Sequence, residues 1–188
     1  MALGWLQMAR QSINSFKHDT TLFVGIRRSE VFCPMADDIK KNYFTTGQMR
    51  NALIQIEDQM VHSGWMPSVV LGINRGGCIP GVYLSHRINT PHEVLDVRLR
   101  DHTAKPNLTV LEKVFAFQKK ILIIDDINDT GDTFQYIIDN FGKGDSRIKF
   151  AALINNKPSK VKVDYQGYEI DKSTNPAWIV FPWEEWDK

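Results

Sequence analysis

The chain is poor in cysteine, in net charge and in long apolar runs, and each shortage argues against a class of function. Its two cysteines, Cys33 and Cys78, lie far apart and have no histidine at ligand spacing, which argues against a disulfide framework and a structural zinc site. The formal net charge over 188 residues is only +1, so there is no electrostatic footprint for nucleic acid or for an anionic membrane surface. No apolar stretch reaches the roughly 20 residues that span a bilayer. Internal repeats and low-complexity tracts are missing too. What is left is an ordinary globular composition, 43% hydrophobic and 24% charged, of a length that suits one domain in a reducing, cytoplasmic setting.

What the chain does have is concentrated in residues 121–133. Ile121, Leu122, Ile123 and Ile124 form a short β-prone run, the signal of a buried strand. Asp125 and Asp126 stand at its C-terminal end, and a turn runs from Asn128 to Thr133. Behind it, Phe134, Ile137, Ile138 and Phe141 recur at helical spacing. Strand, turn and helix bring backbone N–H groups, the hydroxyls of Thr130 and Thr133 and a helix N-terminus into one concavity, an arrangement that cradles phosphate. The neighbouring carboxylates of Asp125 and Asp126 suit ribose hydroxyls and a hard cation such as Mg²⁺. Together these features imply a phosphorylated ribose ligand.

Helix and strand alternate from Thr45 onward. Thr45 or Thr46 caps a predicted helix carrying Met49, Ala52, Leu53, Ile56 and Met60, which ends before Gly64. Further strands are predicted at Ser68 to Ile73, Val94 to Leu99, Ile148 to Ile154, Tyr165 to Ile170 and Trp178 to Phe181. Pro80 suits the first turn of a helix through Val82, Tyr83 and His86, and residues 100–113 read as a polar loop. This pattern predicts a single α/β domain, a central mostly parallel sheet with helices on both faces. Such sheets bind ligands beyond the carboxyl ends of their strands, where the 125–133 turn falls. Asn74-Arg75-Gly76-Gly77 is a second turn of this kind: paired glycines allow close approach to an anion, and Arg75 can hold two oxygens at once.

The 121–133 run resembles the 5-phosphoribosyl-1-pyrophosphate (PRPP) motif of the type I phosphoribosyltransferases, departing from it only at Asp132, where glycine or lysine is usual. Arg75-Gly76-Gly77 resembles the pyrophosphate loop of the purine members, which implies a cis peptide at Asn74–Arg75. Lys157-Pro158 with Trp178-Ile179 resembles the base-binding side of the xanthine–guanine and hypoxanthine–guanine enzymes. The resemblance covers about residues 42–184. It implies a PRPP site of Arg75, Gly76, Gly77, Lys105, Asp125, Asp126, Asp129, Thr130, Gly131, Asp132 and Thr133, with Asp125 and Asp126 also holding Mg²⁺. It implies a purine site of Asp129, Lys157, Trp178 and Ile179, in which Asp129 is the catalytic acid/base. The chemistry agrees: an ammonium only donates and so prefers a 6-oxo group to the amino group of adenine, while stacking a base on an aromatic ring contributes roughly 1–3 kcal/mol.

On this reading residues 42–188 are a phosphoribosyltransferase domain with a small hood and a C-terminal base-binding part, preceded by an extension, 1–41. Residues 100–113 occupy the place of the family's mobile hood, where Arg100 and Lys105 are both candidates to reach pyrophosphate. Residues 1–18 have no acids and carry Leu3, Leu6, Ile13 and Phe16, which fits an amphipathic helix, a transit sequence or a merely appended helix. The expected activity transfers phosphoribosyl from PRPP to N9 of guanine, hypoxanthine or xanthine and releases pyrophosphate, in purine salvage. The resemblance also implies a homo-oligomer, dimer or tetramer, and the near-neutral charge and short apolar runs argue against a nucleic-acid or membrane partner. Two alternatives stand beside it. One is a transferase of the same fold acting on another base, against which Lys157 and Trp178 argue. The other is a non-catalytic regulator or RNA-binding protein that keeps the fold, against which the near-neutral charge and the intact Asp129 argue.

Overall fold

The computed structural model describes residues 40–97, 106–117, 119–142 and 144–184. In chain order the elements are β1 (Lys41–Tyr43), α1 (Thr46–His62), β2 (Val69–Ile73), α2 (Cys78–Arg87), β3 (His92–Leu95), α3 (Thr109–Ala116), β4 (Ile121–Asn128), α4 (Asp132–Ile137), β5 (Ile148–Asn156), β6 (Tyr165–Ile170) and β7 (Trp178–Val180). A π-helical turn, Ile138–Gly142, continues α4. Five strands form one sheet in the order β3-β2-β4-β5-β6, every neighbouring pair parallel. β1 and β7 form a separate parallel pair in which Asn42 lies opposite Ile179. The expected fold class, a parallel sheet between helices, is the one found.

Both faces of the sheet are buried, and period-two alternation divides its side chains between two cores. Val70, Leu122, Ile124, Ala151 and Leu153 point to the side of α1 and α2. Val69, Leu71, Ile121, Ile123 and Ala152 point to the side of α3 and α4, where Leu111, Phe134 and Ile137 meet them. Helix α1 begins in a capping box: the Thr45 hydroxyl accepts the Gln48 N–H at 3.1 Å and the Gln48 side chain accepts the Thr45 N–H at 2.8 Å. Its buried residues are Met49, Ala52, Leu53, Ile56 and Met60, the predicted face.

Three local differences from the sequence reading stand out. The ladder of β4 runs past Ile124, because Asp125, Ile127 and Asn128 still pair with Ala152, Ile154 and Asn155 of β5. Strand β3 begins at His92, where it pairs with Val70, and ends at Leu95; its polar, half-exposed start conceals it from an apolar-run criterion. Part of the expected 100–113 loop is helix α3, started by the Asn107 side chain, whose oxygen accepts the Thr109 N–H at 2.9 Å, and anchored by fully buried Leu111. The readings placed on residues 1–39, on Arg100 and on Lys105 lie outside the described residues.

The strand order decides where a ligand can sit. From β2 the chain moves outward to β3 on one side, then returns to β4 on the other. The loops leaving β2 and β4 therefore diverge, and they open a crevice at the carboxyl ends of these two strands.

Candidate active site

That crevice is a cleft of about 550 Å³, walled by the 74–76 loop after β2, by Asp125 to Thr133, and by Trp183 and Glu184. Its floor depends on two close approaches. A Cβ added to Gly77 would lie 2.4 Å from the Ile124 carbonyl oxygen and 2.9 Å from the Asp125 Cα, so the loop rests directly on the β4 backbone. A Cβ on Gly76 would lie 1.9 Å from Oδ2 of Asp126. The Asn74–Arg75 peptide between β2 and these glycines is cis, as the resemblance implies, and the exposed Arg75 lines the cleft.

The two acids of β4 are not equivalent. Asp125 Oδ1 accepts the Asp126 N–H at 3.0 Å, and Asp126 Oδ1 accepts the Ile127 N–H at 2.7 Å. Burial pushes the Asp126 carboxyl up to about 6, and the charge of Glu184 adds to that; hydrogen bonds from the Ile127 N–H, Asp125 and Trp183 oppose it. Trp183 itself stacks on Phe181, ring centroids 4.9 Å apart and planes 10° from parallel.

The turn after β4 is pinned from beneath. Buried Asn128 donates from Nδ2 to Oδ1 of Asn155 and to the Val161 carbonyl, both at 2.7 Å, while its Oδ1 accepts from the Ser159 hydroxyl at 3.0 Å. Gly131 has φ +85°, a left-handed conformation, and a Cβ there would lie 2.7 Å from the Ser159 Oγ. Thr130, Gly131, Asp132 and Thr133 lead from this turn into α4 along the cleft. Asp132, the departure from the motif, accepts the Thr130 hydroxyl at 2.7 Å and forms an ion pair with Lys160. The carboxylate therefore brings its own counter-charge to the cleft.

Asp129 stands where this cleft meets a smaller recess of about 90 Å³, bordered by Asp129, Lys172, Trp178, Ile179 and Phe181. Trp178 is 51% exposed and presents a ring for stacking. Three residues that the resemblance assigns to the purine site come together here: Asp129, Trp178 and Ile179. Lys157 does not line the recess; it follows β5 on the exposed rim, with its ammonium 3.3 Å from Glu169. The lysine that enters is Lys172, whose ammonium is 2.7 Å from Asp129 Oδ2. Lys172, Asn156 and Glu184 are site residues that the sequence reading misses. The only signal for Glu184 was its place just after Pro182-Trp183, and nothing local marks Lys172, 43 residues from its partner.

A family model, the phosphoribosyl transferase domain, matches residues 35–187. The chain belongs to the phosphoribosyl transferase family. Within it, a purine phosphoribosyltransferase from Pyrococcus horikoshii Ot3 is 30% identical, with a TM-score of 0.60, over 80% of this chain and 97% of that one. Two structures at 18% identity share the fold. A xanthine-guanine-hypoxanthine phosphoribosyltransferase from Helicobacter pylori has a TM-score of 0.56 and covers 77% and 93% of the two chains. A hypothetical protein from Neisseria gonorrhoeae with bound ppGpp has a TM-score of 0.61 and covers 79% and 92%. Among the described residues no helix is long and apolar enough to cross a membrane.

The donors in the phosphoribosyl transferase cleft fit a magnesium ion. Asp125 and Asp126 line it side by side at the end of β4 and offer hard carboxylate oxygens. That matches the way Mg²⁺ is commonly held, by one or two carboxylates together with substrate phosphates and water.

Proposed function

We propose that this protein is a Mg²⁺-dependent purine phosphoribosyltransferase that joins PRPP to N9 of a 6-oxopurine, in purine salvage in the cytoplasm. The observation that carries this reading is the position of Asp129 at the junction of two cavities, one bordered by the phosphate turn and the other by Trp178 and Ile179. A group at that junction can face the sugar and the base at once.

Arg75, Gly76 and Gly77 would take the pyrophosphate, and Thr130 to Thr133 the 5′-phosphate. Asp125 and Asp126 would orient the ribose diol and hold Mg²⁺, which supplies charge neutralisation of the pyrophosphate when bound. Lys105 or Arg100 would reach the pyrophosphate from the hood. Trp178 would stack on the purine and the Ile179 carbonyl would accept from its edge. Lys157 would leave Glu169 and donate to the 6-oxo oxygen. In the reaction the ribose C1–O bond breaks and its electron pair leaves with pyrophosphate. The C1–N9 bond forms, and Asp129 takes the proton that the purine gives up. Holding both reactants in line lowers the barrier through orientation.

Pyrophosphate release measured with PRPP, Mg²⁺ and hypoxanthine tests the reading. Release is expected only when all three are present, with inosine monophosphate formed in equal amount. Release that does not depend on the base would refute transfer.

A further inference from the structure

Asp129 is held through both of its carboxylate oxygens. Its Oδ2 accepts from Lys172 Nζ at 2.7 Å, and its Oδ1 and backbone oxygen both accept from Asn156 Nδ2 at 3.1 Å. Asn156 also accepts the Lys172 backbone N–H at 3.0 Å, so one amide ties both members of the ion pair to the end of β5. Lys172 projects from a turn that is itself fixed. Asp171 Oδ1 accepts the Ser173 N–H at 3.0 Å, and the Asp171 carbonyl accepts the Asn175 N–H at the same distance.

The pair is also sheltered. Its side chains are 21% and 24% exposed, against 57% and 42% for Lys157–Glu169 and 51% and 58% for Lys160–Asp132. Exposed pairs contribute little because water screens them and both chains are mobile. A shielded pair with additional hydrogen bonds holds one geometry.

From this we infer that Lys172 is a positioning residue for Asp129. With Asn156 it fixes both carboxylate oxygens, so that one lone pair faces the recess where Trp178 and Ile179 would hold the base. The inference rests on the acid/base reading of Asp129. Lys172 acts through the Asp129 carboxylate, and its loss should spare PRPP binding because Thr130 to Thr133, which would take the 5′-phosphate, line the larger cleft and Lys172 borders the smaller recess. The donor to the 6-oxo group remains Lys157, so the two lysines have separate tasks.

The test compares Lys172→Met, Lys172→Arg, Asp129→Asn and the Lys172→Met/Asp129→Asn double variant, reading kcat, purine KM and PRPP affinity by calorimetry. Lys172→Gln serves if Lys172→Met does not fold. Lys172→Met is expected to lower kcat roughly 10–100-fold, the scale of a misplaced catalytic group, with PRPP affinity unchanged. Lys172→Arg should recover part of the loss. In the Asp129→Asn background the Lys172 change should have almost no further effect on kcat, because a group that acts through another has nothing left to act on. An undiminished kcat loss in that background overturns the inference. If Asp129→Asn loses turnover while Lys172→Met keeps it, the Lys172 assignment alone fails. If Asp129→Asn keeps full turnover, the acid/base reading fails and takes the Lys172 assignment with it.

Discussion

Asp126→Asn should make the ligand-free protein more stable, and only above mildly acidic pH. Asp126 is held against Gly76, under Trp183 and near Glu184, and its carboxyl is raised from 3.8 to about 6 chiefly by burial. The folded state therefore holds this proton more tightly than the unfolded chain does. Below pH 3.8 the group is protonated in both states and contributes nothing; as pH rises toward 6 the native state loses stability, and above about 6 the loss is complete. The gap between 3.8 and about 6 corresponds to about 3 kcal/mol, at about 1.4 kcal/mol per tenfold change in the equilibrium. Asparagine is neutral throughout, keeps an oxygen for the Ile127 N–H, and offers an N–H toward Glu184. Urea unfolding of parent and variant from pH 4 to 8, in chelator and without PRPP, should give curves that lie within about 0.5 kcal/mol of each other at pH 4 and separate in favour of the variant by up to about 3 kcal/mol at pH 8. A difference that does not change with pH, or a variant less stable at pH 8, would refute the reasoning. The parent keeps a charged group there at a cost to its own stability, as expected for a ligand-binding site.

Three further perturbations test other parts of the site. Asp125→Ala with Asp126→Ala should weaken PRPP binding without unfolding the domain; calorimetry showing parental affinity would contradict diol and Mg²⁺ binding by these acids. Lys160→Ala removes one counter-charge from beside Asp132 and should weaken PRPP by up to about fivefold, the effect of one unit charge at close range in high dielectric, and Asp132→Asn in the same background should restore it. Equal affinities in all three proteins would show that Asp132 does not sense the phosphate. Gly77→Ala places a methyl group against the Ile124 carbonyl and should cost about 1–3 kcal/mol, the usual penalty for overpacking; an unchanged urea midpoint would mean that the loop lifts freely off β4.

What the sequence reveals and what it conceals both have physical causes. Ile121 to Ile124 read as a buried strand because both faces of β4 are covered, so every position is apolar. The α1 face is legible because Met49, Ala52, Leu53, Ile56 and Met60 repeat at the helical period behind a local cap. Helix α3 is hidden, since it is held by long-range packing, the burial of Leu111 and the contacts of Val110, Val114 and Phe115 with the same core, and not by a local signal. The phosphate turn announces itself because all its parts are consecutive. Lys172 and Glu184 stay silent because their partners, Asp129 and Asp126, are brought to them by the sheet and not by spacing. The departure at Asp132 is resolved only in three dimensions, by Lys160.

The central claim is that Asp129 joins a PRPP cleft to a site for a 6-oxopurine. The most direct measurement is kcat/KM for guanine, hypoxanthine, xanthine and adenine with saturating PRPP and Mg²⁺, followed by nucleotide detection, with a parallel series in excess chelator. At least one 6-oxopurine should be converted to its 5′-monophosphate. Adenine should fall below it by roughly 10³-fold or more, because its amino group would leave the ammonium that selects the 6-oxo group without an acceptor. The chelated series should give no product. Adenine turned over as well as the best 6-oxopurine, or nucleotide formed at full rate in chelator, would contradict the account.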